Sequence, residues 1–200
     1  MKNAINNYFF QFLFFVLVLF YFDGSYADDD AKKYRESVFN YFQKINEFES
    51  VFLQIQENEI KNGRLFKKKD RLKILYNGPP EIIFILKKDK GMYFNKDLGE
   101  VEYFGTKNNN AKVFFDLFND LHFFDNASLK LSSKNFYFTK FVKIENEEIK
   151  INIFFEDEPI ALKKIEVHKD DEILNFYIDN INLYPELEEN FFSLAHPLLN

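Results

Sequence analysis

The sequence predicts a mainly antiparallel β protein with helices, an α+β chain built on one long sheet. Three observations lead there. After an amphipathic helical stripe near the front, the chain runs through short segments of period two, separated by turn signals a few residues long. Connections that short favour pairing of consecutive antiparallel strands. Roughly nine to eleven such strands are also too many to lie flat, because open sheets beyond about ten strands curl. A curled sheet has a concave face over which helices can be laid. With 28 Phe and 11 Tyr against 6 Gly in 200 residues, that face is rich in rings. They can line a hollow or fill a solid core, and composition leaves both readings open.

The first 27 residues form a separate object. Met1 and Lys2 precede Phe9 to Phe22, a run that is apolar except for Gln11. It falls short of the about 20 residues a spanning helix needs. Ser25-Tyr26-Ala27 then precedes Asp28-Asp29-Asp30, the pattern of a secretory cleavage site. The expectation is a signal peptide over 1–27, cut after Ala27, and a single domain over 28–200. An uncleaved anchor is the alternative.

The remaining elements follow in order. Between Asp30 and Phe48, the residues Tyr34, Val38, Tyr41, Phe42, Ile45 and Phe48 recur at steps of three and four, one face of a helix. From Glu49 the period becomes two, with Val51, Leu53 and Ile55 on one face and Phe52, Gln54 and Gln56 on the other. Asn62-Gly63 reads as a turn, and the run from Arg64 to Tyr76 as one strand ended by Asn77-Gly78-Pro79-Pro80. Strands EIIFILKK, MYFN and EVEYFG come next, set off by Lys90-Gly91 and Asp97-Leu98-Gly99. Asn108-Asn109-Asn110 caps a second helix running to Phe124, with Val113, Phe114, Leu117, Phe118 and Leu121 on its apolar face. Five further strand runs reach Tyr184. In the last two, Leu162, Ile165 and Val167, then Ile173, Phe176, Ile178, Ile181 and Leu183, alternate imperfectly, which predicts a bulge.

Little in the chain suggests catalysis. There is no Cys, so thiolate chemistry and Cys-ligated metals are excluded. His122, His168 and His196 lie in separate segments without metal-ligand spacing, and no Gly-rich phosphate loop occurs. Glu147-Glu148 and Asp170-Asp171 sit in turns as solvated pairs. The net charge of -6 gives no electrostatic reason to bind nucleic acid. No catalytic, metal or cofactor-binding residue is predicted. The strong charge patch is Arg64, Lys67, Lys68, Lys69, Arg71 and Lys73, readable as a solvated strand, a guarded sheet edge or a docking surface for an anionic partner.

Several blocks, taken in order, carry a resemblance. They are Phe42-Gln43-Lys44-Ile45-Asn46-Glu47-Phe48 and Phe52-x-Gln54, then Gly63 to Lys69 and Leu72-Lys73-Ile74-Leu75-Tyr76-x-x-Pro79, then Tyr93 to Val101, Leu162-x-x-Ile165-x-Val167 and Asn180-Ile181. Over residues 31 to about 197 the chain resembles the LolA family, periplasmic carriers of outer-membrane lipoproteins. The resemblance implies an incomplete, strongly curved β-barrel closed by helices, whose hydrophobic interior takes the acyl chains of triacylated lipoproteins. It implies a monomeric, non-enzymatic shuttle without cofactor in the periplasm of a Gram-negative bacterium. Its partners would be an inner-membrane lipoprotein-releasing ATP-binding-cassette complex and an outer-membrane receptor. Alternation offers Phe52, Leu65, Leu72, Ile74, Phe84, Met92 and Phe94 as cavity walls, with Phe114, Leu117 and Phe118 on the covering helix. The chain departs from the family where its lid-holding Arg-Pro falls on Lys68-Lys69-Asp70, leaving Lys68 and Lys69 as lid or docking candidates. Asp89-Lys90-Gly91 replaces an Asp-Gly turn, and Thr106-Lys107-Asn108 a Thr-Pro helix opening. A relative that binds lipid or an envelope partner without transferring lipoprotein is the other reading.

Overall fold

The computed structural model describes residues 23–106, 110–144 and 146–198. The apolar run Phe9 to Phe22, on which the expected signal peptide rests, and Lys107 to Asn109 lie outside them. The chain divides into two units, Met1–Ser37 and Val38–Asn200. In the first, the described residues from Asp23 onward are helical and include Ser25-Tyr26-Ala27. They open helix α1 (Asp23–Lys44). Asp29 and Asp30 are exposed, and the Lys33 ammonium stands 5.7 Å from the Tyr34 ring.

The second unit is organised by an open, curved antiparallel sheet of eleven strands. The first six are β1 (Glu47–Gln56), β2 (Glu59–Lys68), β3 (Arg71–Asn77), β4 (Ile82–Leu86), β5 (Lys90–Asn95) and β6 (Glu100–Gly105). After α2 (Asn110–Asn119) come β7 (Ser128–Leu131), β8 (Asn135–Ile144), β9 (Glu147–Glu156), β10 (Ala161–Lys169) and β11 (Glu172–Asn182). The spatial order is β6-β5-β4-β3-β2-β1-β11-β10-β9-β8-β7. Two meanders are thus joined where β1 meets β11. The expected irregularity is present, with register shifts between Leu162 and Lys164 and between Glu49 and Val51.

Several segment boundaries differ from the sequence reading, beginning with Phe48, which lies in β1 and not on the first helix. Asn62-Gly63 is not a turn but lies inside β2, opposite Leu53 and Phe52. A Cβ on Gly63 would stand 1.9 Å from the Leu75 carbonyl and 2.8 Å from the Phe52 ring, so glycine is there because a ring is seated on the strand. The actual turns are at Glu57 and Lys69, both with positive φ, and the second splits Arg64–Tyr76 into two strands. Helix α2 also stops earlier, at Asn119. The Asp120 carboxylate accepts the His122 backbone N–H at 2.9 Å, and the chain turns rather than continuing to Phe124.

Strand alternation divides the side chains between two faces. Phe48, Phe52 and Gln54 of β1 face the concave side, while Val51 and Leu53 are exposed on the other. At the concave end away from the β1–β2 hairpin, the rings of Phe42, Phe48, Phe118, Phe124, Phe138 and Phe155 meet at centroid distances of 5.3–6.2 Å. The last turns of α1, from Val38, and helix α2 are held there by edge-on and stacked aromatic packing. On the convex side Phe66, Ile85, Met92 and Phe94 form a second cluster with Phe192. A short 3-10 helix, Glu189–Phe192, brings that ring down onto it.

Candidate functional site

The concave interior is solid at one end and hollow at the other. The hollow has a volume of about 290 Å³ and lies toward the β1–β2, β3–β4, β8–β9 and β10–β11 hairpins. Among the described residues that line it, Gln54 and Tyr76 alone are polar. The sheet contributes Ile74, Phe84, Ile149, Ile151, Ile165 and Phe176, while α2 contributes Ala111, Val113, Phe114 and Leu117. One side is braced by rings: Phe176 stacks on Phe52 at 4.4 Å and meets Phe114 edge-on at 5.4 Å.

The two polar walls are coupled. The Tyr76 hydroxyl donates to Gln54 Oε1 at 2.6 Å. Burial pushes the Tyr76 phenol up to about 12, so it remains a neutral donor across the physiological range. Just beyond the lining residues, the strand ends carry groups satisfied among themselves. Lys61 pairs with Glu59 at 2.8 Å and Lys169 with Glu147 at 2.7 Å, while Gln56 donates to Glu172 at 2.9 Å.

The ten cavity candidates fall into three groups. Ile74, Phe84, Phe114 and Leu117 line the hollow. Phe52, Leu65, Leu72 and Phe118 are buried without lining it. Met92 and Phe94 belong to the opposite face, and their assignment to the cavity wall is corrected here. Phe84 faces inward, and its partner across the ladder is Tyr93, so the flanking Met92 and Phe94 point outward. Parity within one strand could not reveal this, since a one-residue offset exchanges the faces. Gln54 and Tyr76 were missed as wall residues, although both stood in the resemblance blocks.

The basic run is not one surface. Lys68 turns outward, donating to the Leu187 carbonyl at 2.7 Å and pairing with Glu47 at 3.2 Å. Lys69 is exposed in the turn, so neither candidate points into the concave face. The inward lysine is Lys67, opposite Leu72 and 3% exposed. Its ammonium donates to the Lys69 carbonyl at 2.7 Å and to both oxygens of Asn46 at 3.3 Å. Burial draws its pKa down to about 8, against the attraction of Asp70. Lys73 donates to the Phe191 carbonyl at 2.9 Å and stands 3.9 Å from the Phe191 ring, while Arg71 reaches Glu189 at 3.7 Å. Much of the patch therefore fastens the C-terminal segment to the convex face.

On the convex face of β8 to β10, Glu166 gathers a polar network. It accepts from Lys164, Asn152 and His168 at 2.6–2.8 Å, and Thr139 donates to Asn152 at 2.8 Å. Burial would raise the Glu166 pKa, but these hydrogen bonds outweigh it and hold the carboxyl at about 2. Among the described residues no group of three His, Cys, Asp or Glu is placed to hold a metal.

The architecture is that of a long antiparallel sheet curled around helices, with an apolar chamber between them. No family model matches the chain, and no curated protein matches it. A solved structure shares the fold. An uncharacterised conserved protein from Thermus thermophilus aligns with a TM-score of 0.53 at 4% identity, over 79% of this chain and 91% of that one. A chain of the Pseudomonas aeruginosa MucA/MucB complex aligns at 0.48 with 9% identity over 82% of this chain, which spans 60% of that one. A DUF1329 family protein from Desulfovibrio piger aligns at 0.48 with 8% identity, over 82% and 97%. At such identities the likeness to the Thermus protein is one of fold.

Proposed function

We propose that this chain is an exported, non-enzymatic carrier that shelters an acyl chain in the hollow between α2 and the sheet. The hollow itself carries the reading. It opens about 290 Å³ within almost wholly apolar walls between α2 and the sheet, where a closely packed interior would leave few voids larger than a water molecule. Its apolar lining supplies what a hydrocarbon chain needs, about 0.8 kcal/mol for each methylene removed from water. The order of sequence blocks resembling the LolA family supports a finer version. In it the ligand is a lipoprotein, taken from a releasing complex in the inner membrane and passed to an outer-membrane receptor.

One experiment addresses both levels. Protein recovered from a periplasmic extract should begin at Asp28 and carry an acylated molecule in native mass spectrometry. Val113→Lys, at the wall of the hollow, should weaken binding of a fluorescent dodecanoyl ester at least tenfold, because a charge would be desolvated. Phe141→Lys, at an exposed position, should leave it unchanged. Equal binding by both variants would defeat the cavity reading. Acyl cargo without any lipoprotein would restrict the protein to carriage of other lipids.

A further inference from the structure

A lysine flanks the hollow, and what it can bind narrows the ligand class; this step rests on the acyl-carrier reading. Strand β8 turns Phe136 and Phe138 into the packed aromatic end of the concave face, and alternation carries Lys140 to the same side. Its partner across the ladder is Ile151, a wall residue of the hollow. The Lys140 ammonium donates to the Phe123 carbonyl and stands 4.8 Å from the ring of Phe123, a second wall residue. A cation is thus fixed beside two residues that line the hollow. It is half-buried, yet it stands at an open margin of the sheet: among the described residues β7 pairs with β8 only as far as Thr139, so no strand covers β8 from Lys140 onward.

This cation has no counter-charge of its own. Among the described residues Lys140 forms no ion pair, and its contacts are the carbonyl and ring of Phe123. The acids nearest to Phe123 in the chain are engaged with His122: Asp120 accepts its backbone N–H at 2.9 Å, and Asp125 lies 2.8 Å from its Nδ1. Asp116 of α2 pairs with Lys112. The rim lysines Lys61 and Lys169 are each matched to a glutamate, so Lys140 differs from them. An ammonium carries three donors, and one carbonyl leaves room for a charged acceptor. Such an acceptor would form the stronger, charge-assisted kind of hydrogen bond.

The volume limits what is attached to that acceptor. An engineered cavity of about 150 Å³ lined by apolar side chains holds one benzene. The hollow, at about 290 Å³, has room for roughly twice that, which suits one linear chain rather than two or three. We infer that the hollow takes a single-chain amphiphile with an anionic head, a carboxylate or a phosphate monoester, which pairs with the Lys140 ammonium beside Phe123 while the tail lies between Ile151 and α2.

The test is isothermal titration of the full chain at neutral pH with laurate, dodecyl phosphate and monolaurin, each below its micellar concentration. At least one of the two anions should bind one to one and at least tenfold more tightly than monolaurin, which is uncharged. Preference for laurate would identify the head as a carboxylate, and preference for dodecyl phosphate as a phosphate; either supports the inference. Lys140→Met keeps the apolar stem of the side chain. It should weaken the preferred anion at least tenfold, the loss of one charge-assisted hydrogen bond, and leave monolaurin unchanged. Lys140→Gln, which retains a donor for the Phe123 carbonyl, should show the same selective loss and guards against a folding defect in the methionine variant. Lys143→Met, at an exposed position on the other face of β8, should bind all three probes as the unaltered protein does. Monolaurin binding as tight as either anion, undiminished anion binding by both Lys140 variants, or an equal loss in Lys143→Met would overturn the inference while sparing the carrier reading. Failure of all three probes to bind the unaltered protein would overturn both.

Discussion

Lys67 shows how far one side chain can depart from its neighbours in a charged run. Its ladder partner is Leu72, and it lies with the inward-facing residues of β2. Three carbonyl oxygens replace water around its ammonium, tying the turn at Lys69 to Asn46 at the junction of α1 and β1. The folded-state pKa of about 8 lies below the ordinary 10.5. Between those values the unfolded chain holds a proton that the folded chain has released, so this residue makes stability rise with pH. Lys67→Met should remove a rise of about 2–3 kcal/mol between pH 8 and pH 10.5, measured as the difference in urea midpoints between the two proteins. Parallel pH profiles would show that the ammonium is as well solvated when folded as when unfolded. The sequence could not disclose this role, because Lys67, Lys68 and Lys69 are identical in type and their directions depend on where the turn falls. Gln54 and Tyr76 were hidden for a related reason: a hydrogen bond that reaches across β2 from β3 to β1 has no signature in either strand alone.

At the scale of elements, the C-terminal segment is a strap across the convex face. Phe192 is 1% exposed against Phe66, Ile85, Met92 and Phe94, and Lys68, Lys73 and Arg71 fasten the backbone and side chains around it. The strap lies on the face opposite the hollow. Phe192→Ala should therefore cost about 3–5 kcal/mol in unfolding free energy with no change in acyl-ester affinity at a temperature where the variant remains folded. Weakened binding at unchanged stability would mean that strap and hollow are coupled. The strap was not legible in the sequence, since Phe191-Phe192 lies in a segment without periodicity. The strands were legible because period two and turn residues are local signals. The exceptions are instructive: Gly63 imitated a turn, while Lys69 made one without the usual residues. Helix α2 was recognised from its stripe, but its end at Asn119 depends on an Asp120 hydrogen bond that competes with the helix.

At the scale of the whole second unit, the uneven filling of one curved sheet is the central feature. Packed interiors normally leave few voids larger than a water molecule, and the aromatic end beside Phe42 and Phe155 follows that rule. The hairpin end departs from it because isoleucine, leucine and valine at 144, 149, 151, 167 and 174 stop short of α2. The sequence established the curl and the supply of rings. It left open whether they enclosed space, because that depends on how α2 rests across strands distant in the chain. The unfilled volume should trade stability against binding. Val167→Phe, at a half-buried wall position, adds atoms where contacts are missing and should raise stability by about 1 kcal/mol. That corresponds to a thermal midpoint about 2–4 °C higher for a chain of this size. The same ring takes space from the ligand and should reduce affinity for a dodecanoyl ester at least tenfold. Lower stability would mean that the wall is already closely packed at this point. Higher stability with binding intact would mean that the ligand lies elsewhere. Opposite movement of midpoint and affinity is the outcome that a hollow maintained for a ligand requires, because a void kept empty for binding lowers stability until something fills it.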